Sequence, residues 1–81
     1  MYYTYILYSK SIDKFYVGST NNIDNRIYRH NKGQSKYTRK GIPWELVHLE
    51  KFNNRTEAYR REKQIKNMKS RKYIVELIAK G

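Results

Sequence analysis

Two tyrosine-rich segments constrain this chain more than anything else in it. Tyr3-Thr4-Tyr5-Ile6-Leu7-Tyr8-Ser9 and Phe15-Tyr16-Val17-Gly18-Ser19 are both strand-like and are separated only by the polar stretch to Lys14. Aromatic and β-branched residues bounded by polar turn residues read as strands, and so short a connection joins them as an antiparallel hairpin. The hairpin sets Tyr5 and Tyr16 near one another. Gly18 lies inside the second strand pattern, where a glycine marks a bulge or the close approach of another group.

The capping signals downstream set the helices. Thr20, Asn21 and Asn22 are N-cap candidates for a helix to about Lys32, with Ile23 and Ile27 on its buried side and Gly33 as a stop. Gly33 to Pro43 is polar and basic and reads as a loop. Trp44, Leu46, Val47, Leu49 and Phe52 mark a third strand with imperfect alternation, flanked by Glu45 and Glu50. Asn54 and Glu57 have capping-box spacing ahead of a helix to about Asn67. Ser70 caps a last helix with Ile74, Leu77 and Ile78 as its apolar stripe. The expected order is β-β-α-β-α-α, an α+β fold with a small three-stranded antiparallel sheet flanked by helices. Residues 1–81 read as a single domain with a small core.

Charge narrows the partners. Eighteen Lys and Arg against seven Asp and Glu give +11. Such a field attracts polyanions, nucleic acid first. No apolar run reaches the roughly 20 residues that span a bilayer. The N-terminus lacks a basic region, an adequate apolar stretch and a small-residue cleavage site. The chain has no cysteine, hence no disulfide and no thiolate metal site. These features fit an intracellular, cytoplasmic protein. They leave its oligomeric state open.

Several residues stand out against this background. Ala58, Glu62 and Ile65 fall within about 60° of one another on a helix of 100° per residue. Glu62 therefore lies in an apolar stripe, and a carboxylate there needs a cation: Arg26, a lysine or a metal. Arg26 and His30 are four apart, at the border of the Ile23/Ile27 stripe. An arginine can clamp a phosphate with a planar fork, and a histidine can move a proton near neutral pH; a solvated helix face would carry the same pair. Lys36, Tyr37, Arg39 and Lys40 interleave charge with an aromatic ring, which suits phosphate contact and base stacking as well as a plain solvated loop. His48 alternates with Val47 and Leu49 and receives no role. No phosphate-binding loop, dinucleotide fingerprint or zinc ligand set is present.

Taken in order, these residues resemble the GIY-YIG nuclease domain, and most of all its small stand-alone bacterial members. Tyr3-Thr4-Tyr5 is similar to the first tripeptide and Tyr16-Val17-Gly18 to the second. Tyr3 stands where the family's name has Gly. Arg26 falls at the family's helix arginine, His30 where members carry Tyr or His, and Glu62 at the metal-binding glutamate. The resemblance covers nearly the whole chain, including stretches such as Ser35-Lys36-Tyr37-Thr38-Arg39 and Glu62-Lys63-Gln64-Ile65-Lys66.

That resemblance implies a metal-dependent endonuclease that hydrolyses phosphodiester bonds, with DNA favoured as the substrate and RNA left open. Tyr16 would be the general base and Tyr5 its hydrogen-bonded neighbour. His30 would relay the proton, Arg26 would neutralise charge on the phosphate, and Glu62 would hold one Mg²⁺, or Mn²⁺. A tyrosine ionises near pH 10 in solution, so it serves as a base only where positive charge favours the phenolate. Gly18 would leave room for substrate, and Lys36, Tyr37, Arg39 and Lys40 would bind it. Two other readings compete. One is a non-catalytic nucleic-acid-binding domain of the same fold. The other is a small partner-binding module that uses the last helix.

Overall fold

The computed structural model describes all 81 residues. Strand β1 spans Tyr2–Ser9, β2 Lys14–Thr20 and β3 Trp44–Phe52. Helix α1 spans Ile23–Asn31, α2 Arg55–Met68 and α3 Arg71–Lys80. A single 3₁₀ turn, Arg39–Gly41, precedes β3. The sheet is antiparallel in the order β2-β1-β3, so the expected β-β-α-β-α-α arrangement is the one observed.

The middle strand explains the architecture. Thr4, Tyr5, Ile6 and Leu7 are all fully buried. Successive strand residues point to opposite faces, so both faces of β1 must be covered. On one face Tyr5 and Leu7 join Trp44, with Tyr16, Ile23, Ile27 and Ile42 packed around them. On the other, Ile6 joins Val17 and Ile65, closed over by Phe15, Val47, Tyr73, Ile74 and Leu77. The hydroxyl of Thr4 donates to the Ala58 carbonyl at 2.6 Å, tying α2 to this second face. The sheet is thus sandwiched between α1 with its following loop and the α2–α3 pair.

Each helix starts where its cap residue stands. Asn22, Asn54 and Ser70 accept from the backbone N–H three residues on, those of Asn25, Glu57 and Tyr73. Each satisfies one of the donors that a helix N-terminus leaves free. The imperfect alternation of the third strand has a physical cause. Ile6 pairs with His48 but Leu7 pairs with Leu46, so Val47 is an extra residue in β3. This bulge reverses the inside–outside pattern midway along the strand. Glu45 and Glu50 lie within the strand and do not flank it. Glu50 accepts from Arg61 at 2.9 and 3.2 Å and faces His48 at 2.7 Å.

The apolar stripe of α3 is largely used in the fold. Ile74 and Leu77 cover the Ile6–Val17–Ile65 cluster. No helix is long and apolar enough to cross a membrane.

A candidate active-site cleft at the edge of the sheet

Strand β2 is an edge strand, and α1 and α2 approach it from opposite faces. A cleft of about 390 Å³ opens where they meet. Tyr5, Tyr16, Gly18, Arg26 and Glu62 line it together with Ser19, Arg55 and Tyr59. The strand register explains the gathering. Tyr5 pairs with Gly18 and Leu7 with Tyr16, so Tyr5 and Tyr16 share a face on a diagonal. Their ring centroids are 6.4 Å apart. Ser19 pairs with Thr4 on the opposite face, toward α2 and Glu62.

Gly18 has a definite job here. A Cβ at position 18 would stand 2.6 Å from Cζ of Tyr5 and closer still to its hydroxyl. The group that approaches this glycine is therefore the Tyr5 ring. The missing side chain lets that ring lie across β2 and bring its hydroxyl to the floor of the cleft.

Tyr5 and His30 form one buried unit. The Tyr5 hydroxyl lies 3.4 Å from His30 Nε2, and His30 Nδ1 lies 2.8 Å from the Thr38 hydroxyl. Burial, then the nearby Tyr16, pushes the Tyr5 phenol well above its ordinary range; Arg26 opposes this in part. Tyr5 therefore keeps its proton. His30 is pushed the other way, first by burial and then by the Arg26 charge, so the imidazole is neutral at pH 7. A protonated Tyr5 donates to Nε2, which assigns the ring proton to Nδ1 and makes Thr38 its acceptor. Thr38 is itself fixed by Trp44, whose indole N–H donates to the Thr38 carbonyl at 2.6 Å. Asn31 clasps Trp44 from α1, accepting from its N–H at 2.6 Å and donating to its carbonyl at 3.2 Å.

Tyr16 differs from Tyr5 in exposure and in hydrogen bonding. It is only partly buried, and its hydroxyl makes no hydrogen bond within the protein. The His30 ring packs edge-on against it at 4.9 Å between centroids, and His30 accepts its hydrogen bond from Tyr5. The Lys66 ammonium lies 6.0 Å from the Tyr16 centroid. Arg26 forms no salt bridge and lines the cleft close enough to the Tyr5 hydroxyl to act on it.

Glu62 does lie in the apolar stripe of α2, between buried Ala58 and Ile65, and its cation is a lysine. Lys66 donates to Oε2 at 2.6 Å and the Ser19 hydroxyl donates to Oε1 at 2.7 Å. No cluster of three or more His, Cys, Asp or Glu occurs anywhere in the fold. The donor set nevertheless fits one hard cation. A carboxylate has about four lone-pair sites, of which two are used here. Mg²⁺ keeps most of its own waters and takes one or two carboxylates together with substrate phosphate.

Sequence reasoning missed Ser19, Thr38 and Lys66. Lys66 stood four residues after Glu62, the spacing at which helical side chains meet. Thr38 had no periodic signal, because it is buried from within a loop. Lys36, Tyr37, Arg39 and Lys40 line neither this cleft nor the adjoining hollow formed by Tyr16, Arg26, Arg29, His30, Gln34 and Ser35. Tyr37 is 93% exposed, and Arg39 folds back to the Gly33 carbonyl at 3.0 Å.

An edge-strand cleft with paired tyrosines, an arginine outside any salt bridge and one carboxylate defines a candidate phosphodiester-binding site. The chain belongs to the GIY-YIG family, a nuclease superfamily: the model of the GIY-YIG catalytic domain matches residues 1–74. It is 40% identical over 81 residues to a UPF0213 protein of Staphylococcus saprophyticus, covering 99% of this chain and 96% of that one. A UPF0213 protein of Clostridium perfringens is 46% identical over 69 residues, covering 84% of this chain and 73% of that one. The solution NMR structure of a UPF0213 protein from Bacillus halodurans superposes with a TM-score of 0.60 at 37% identity, covering 98% of this chain and 84% of that chain.

Proposed function

We propose that this protein is a metal-dependent endonuclease that hydrolyses phosphodiester bonds, with DNA as its substrate. The observation that carries the reading is the pairing of two tyrosines in opposite states. Tyr5 is buried and hydrogen-bonded, while the Tyr16 hydroxyl is free at the same cleft, beside Arg26.

In this reading Tyr16 first loses its own proton to solvent, and the phenolate then takes the proton from the attacking water as the new P–O bond forms and the leaving oxygen departs. Arg26 lies on the scissile phosphate and neutralises charge that develops there, the kind of fixed charge that acts most strongly in a partly dry cleft. Tyr5 keeps its proton and donates it within the cleft floor. His30, held neutral and oriented by Thr38, accepts from Tyr5 and keeps the two rings in place. Glu62 would hold one Mg²⁺ or Mn²⁺, which would supply charge stabilisation to the leaving oxygen and the phosphate. Only three of the 18 Lys and Arg side chains, Arg61, Lys66 and Arg71, pair with a carboxylate. The remaining positive charge supports recruitment of a polyanion. Lys36, Tyr37, Arg39 and Lys40 would reach the strand outside the cleft.

The test is cleavage of a panel of labelled branched, flapped, single-stranded and duplex DNAs and matching RNAs, with Mg²⁺ or Mn²⁺ and with chelator. Metal-dependent cutting of a DNA by the wild type, lost in Glu62→Ala, is the expected result. Binding without cutting on every substrate would instead establish a nucleic-acid-binding domain of the same fold.

A further inference from the structure

The cation that sits on Glu62 comes from the protein itself. Lys66 Nζ is 2.6 Å from Oε2, on the carboxylate that lines the cleft. The Glu62 side chain is 13% exposed, whereas that of Lys66 is 48% exposed. A largely covered carboxylate is thus served by a lysine that can swing into water. The ammonium lies between the cleft carboxylate and the Tyr16 ring, 6.0 Å from that ring's centre. The orientation, Glu four residues before Lys on one helix, is the one that favours pairing. Ser19 holds the other oxygen, so the carboxylate keeps its direction when the lysine leaves.

We propose that Lys66 is a resident counter-ion of Glu62, and that a divalent cation binding the same carboxylate drives it off by charge repulsion. The inference rests on Glu62 as the cation ligand. Lys66 makes the cleft tolerable to fold around: a largely buried carboxylate without a cation would be costly. It also competes with the metal, because both are drawn to one charged group. Lys66 is a positioning residue in this scheme. It sets how readily Glu62 takes a cation, and it takes no proton.

The experiment is a Mn²⁺ titration followed by calorimetry on wild type, Lys66→Met, Lys66→Arg and Glu62→Gln. Ion pairs with one solvent-exposed partner, as here, correspond to about two- to fivefold in an equilibrium constant. Lys66→Met should therefore bind Mn²⁺ about two- to fivefold more tightly than wild type, and Lys66→Arg no more tightly. Glu62→Gln should lose the binding. In wild type, the Lys66 Cε and Nζ resonances should shift on titration with Mg²⁺, with the midpoint of its binding curve, and this readout needs no variant to fold. Lys66→Met that binds Mn²⁺ no better than wild type, or Lys66 resonances that stay still, would overturn the proposal while leaving Glu62 as ligand. Mn²⁺ binding unchanged in Glu62→Gln would remove the metal reading itself.

Discussion

Gly18→Ala puts the local geometry to a quantitative test. The new methyl group would lie 2.6 Å from Tyr5 Cζ and 3.1 Å from Cε2. Carbon atoms rest at about 3.5–4.0 Å, so the ring must retreat by about 1 Å. Tyr5 cannot retreat freely, since it is fully buried against Leu7 and Trp44. Overpacking of a core costs about 1–3 kcal/mol. A Gly→Ala change at a permissive backbone gains about 0.4–1 kcal/mol through the unfolded chain. The net expectation is a loss of about 1–2 kcal/mol. For a domain of this size each kcal/mol moves Tm by about 4–8 °C, so Tm should fall by about 4–16 °C. Thermal unfolding followed by circular dichroism reads this directly. The same substitution in a Tyr5→Leu background should cost almost nothing, because the ring it meets is gone; the cycle isolates the coupling. Gly18→Ala with an unchanged or higher Tm would refute the argument that Gly18 exists to admit the Tyr5 ring.

Arg26→Ala should lower single-turnover cleavage by about 10²-fold or more while leaving DNA affinity within a few-fold, measured by fluorescence anisotropy; equal losses in both would make Arg26 a binding residue. His30 titrates below its ordinary value in the folded state because burial, then Arg26, disfavours the imidazolium. The unfolded chain therefore binds the proton more readily, and stability should fall as pH drops through about 6.5 toward the depressed folded value. Denaturant unfolding in that window checks the sign, and His30→Gln should flatten the slope. DNA affinity should drop steeply between about 50 and about 200 mM salt as phosphate counterions are displaced; a flat profile would separate binding from the protein's charge.

The elements were legible because their signals are local. The caps Asn22, Asn54 and Ser70, and the strand-like Tyr3–Ser9 segment, depend on side chains within a few residues. The placement of Glu62 within an apolar stripe was also readable from helical spacing. What covers Glu62 was not settled by spacing alone, since arginine, lysine and metal would each answer the same charge. The bulge at Val47 was visible only as a fault in alternation, because register depends on the partner strand. Thr38 was invisible: it is buried by His30 and Trp44, which close over it from either side of a loop that has no periodic pattern. The Gly18 signal pointed correctly to a close approach, and the approaching group, Tyr5, is thirteen positions away across the hairpin.

The most direct measurement compares Tyr16→Phe with Tyr5→Phe in single-turnover cleavage, with DNA affinity measured alongside. Each removes one hydroxyl and keeps the ring. If the phenolate of Tyr16 accepts the proton, Tyr16→Phe should lose about 10²–10⁴ in rate at unchanged affinity, the usual share of a general base. Tyr5→Phe, which removes a donor that never ionises, should lose less. Cleavage by Tyr16→Phe at the wild-type rate would contradict the account.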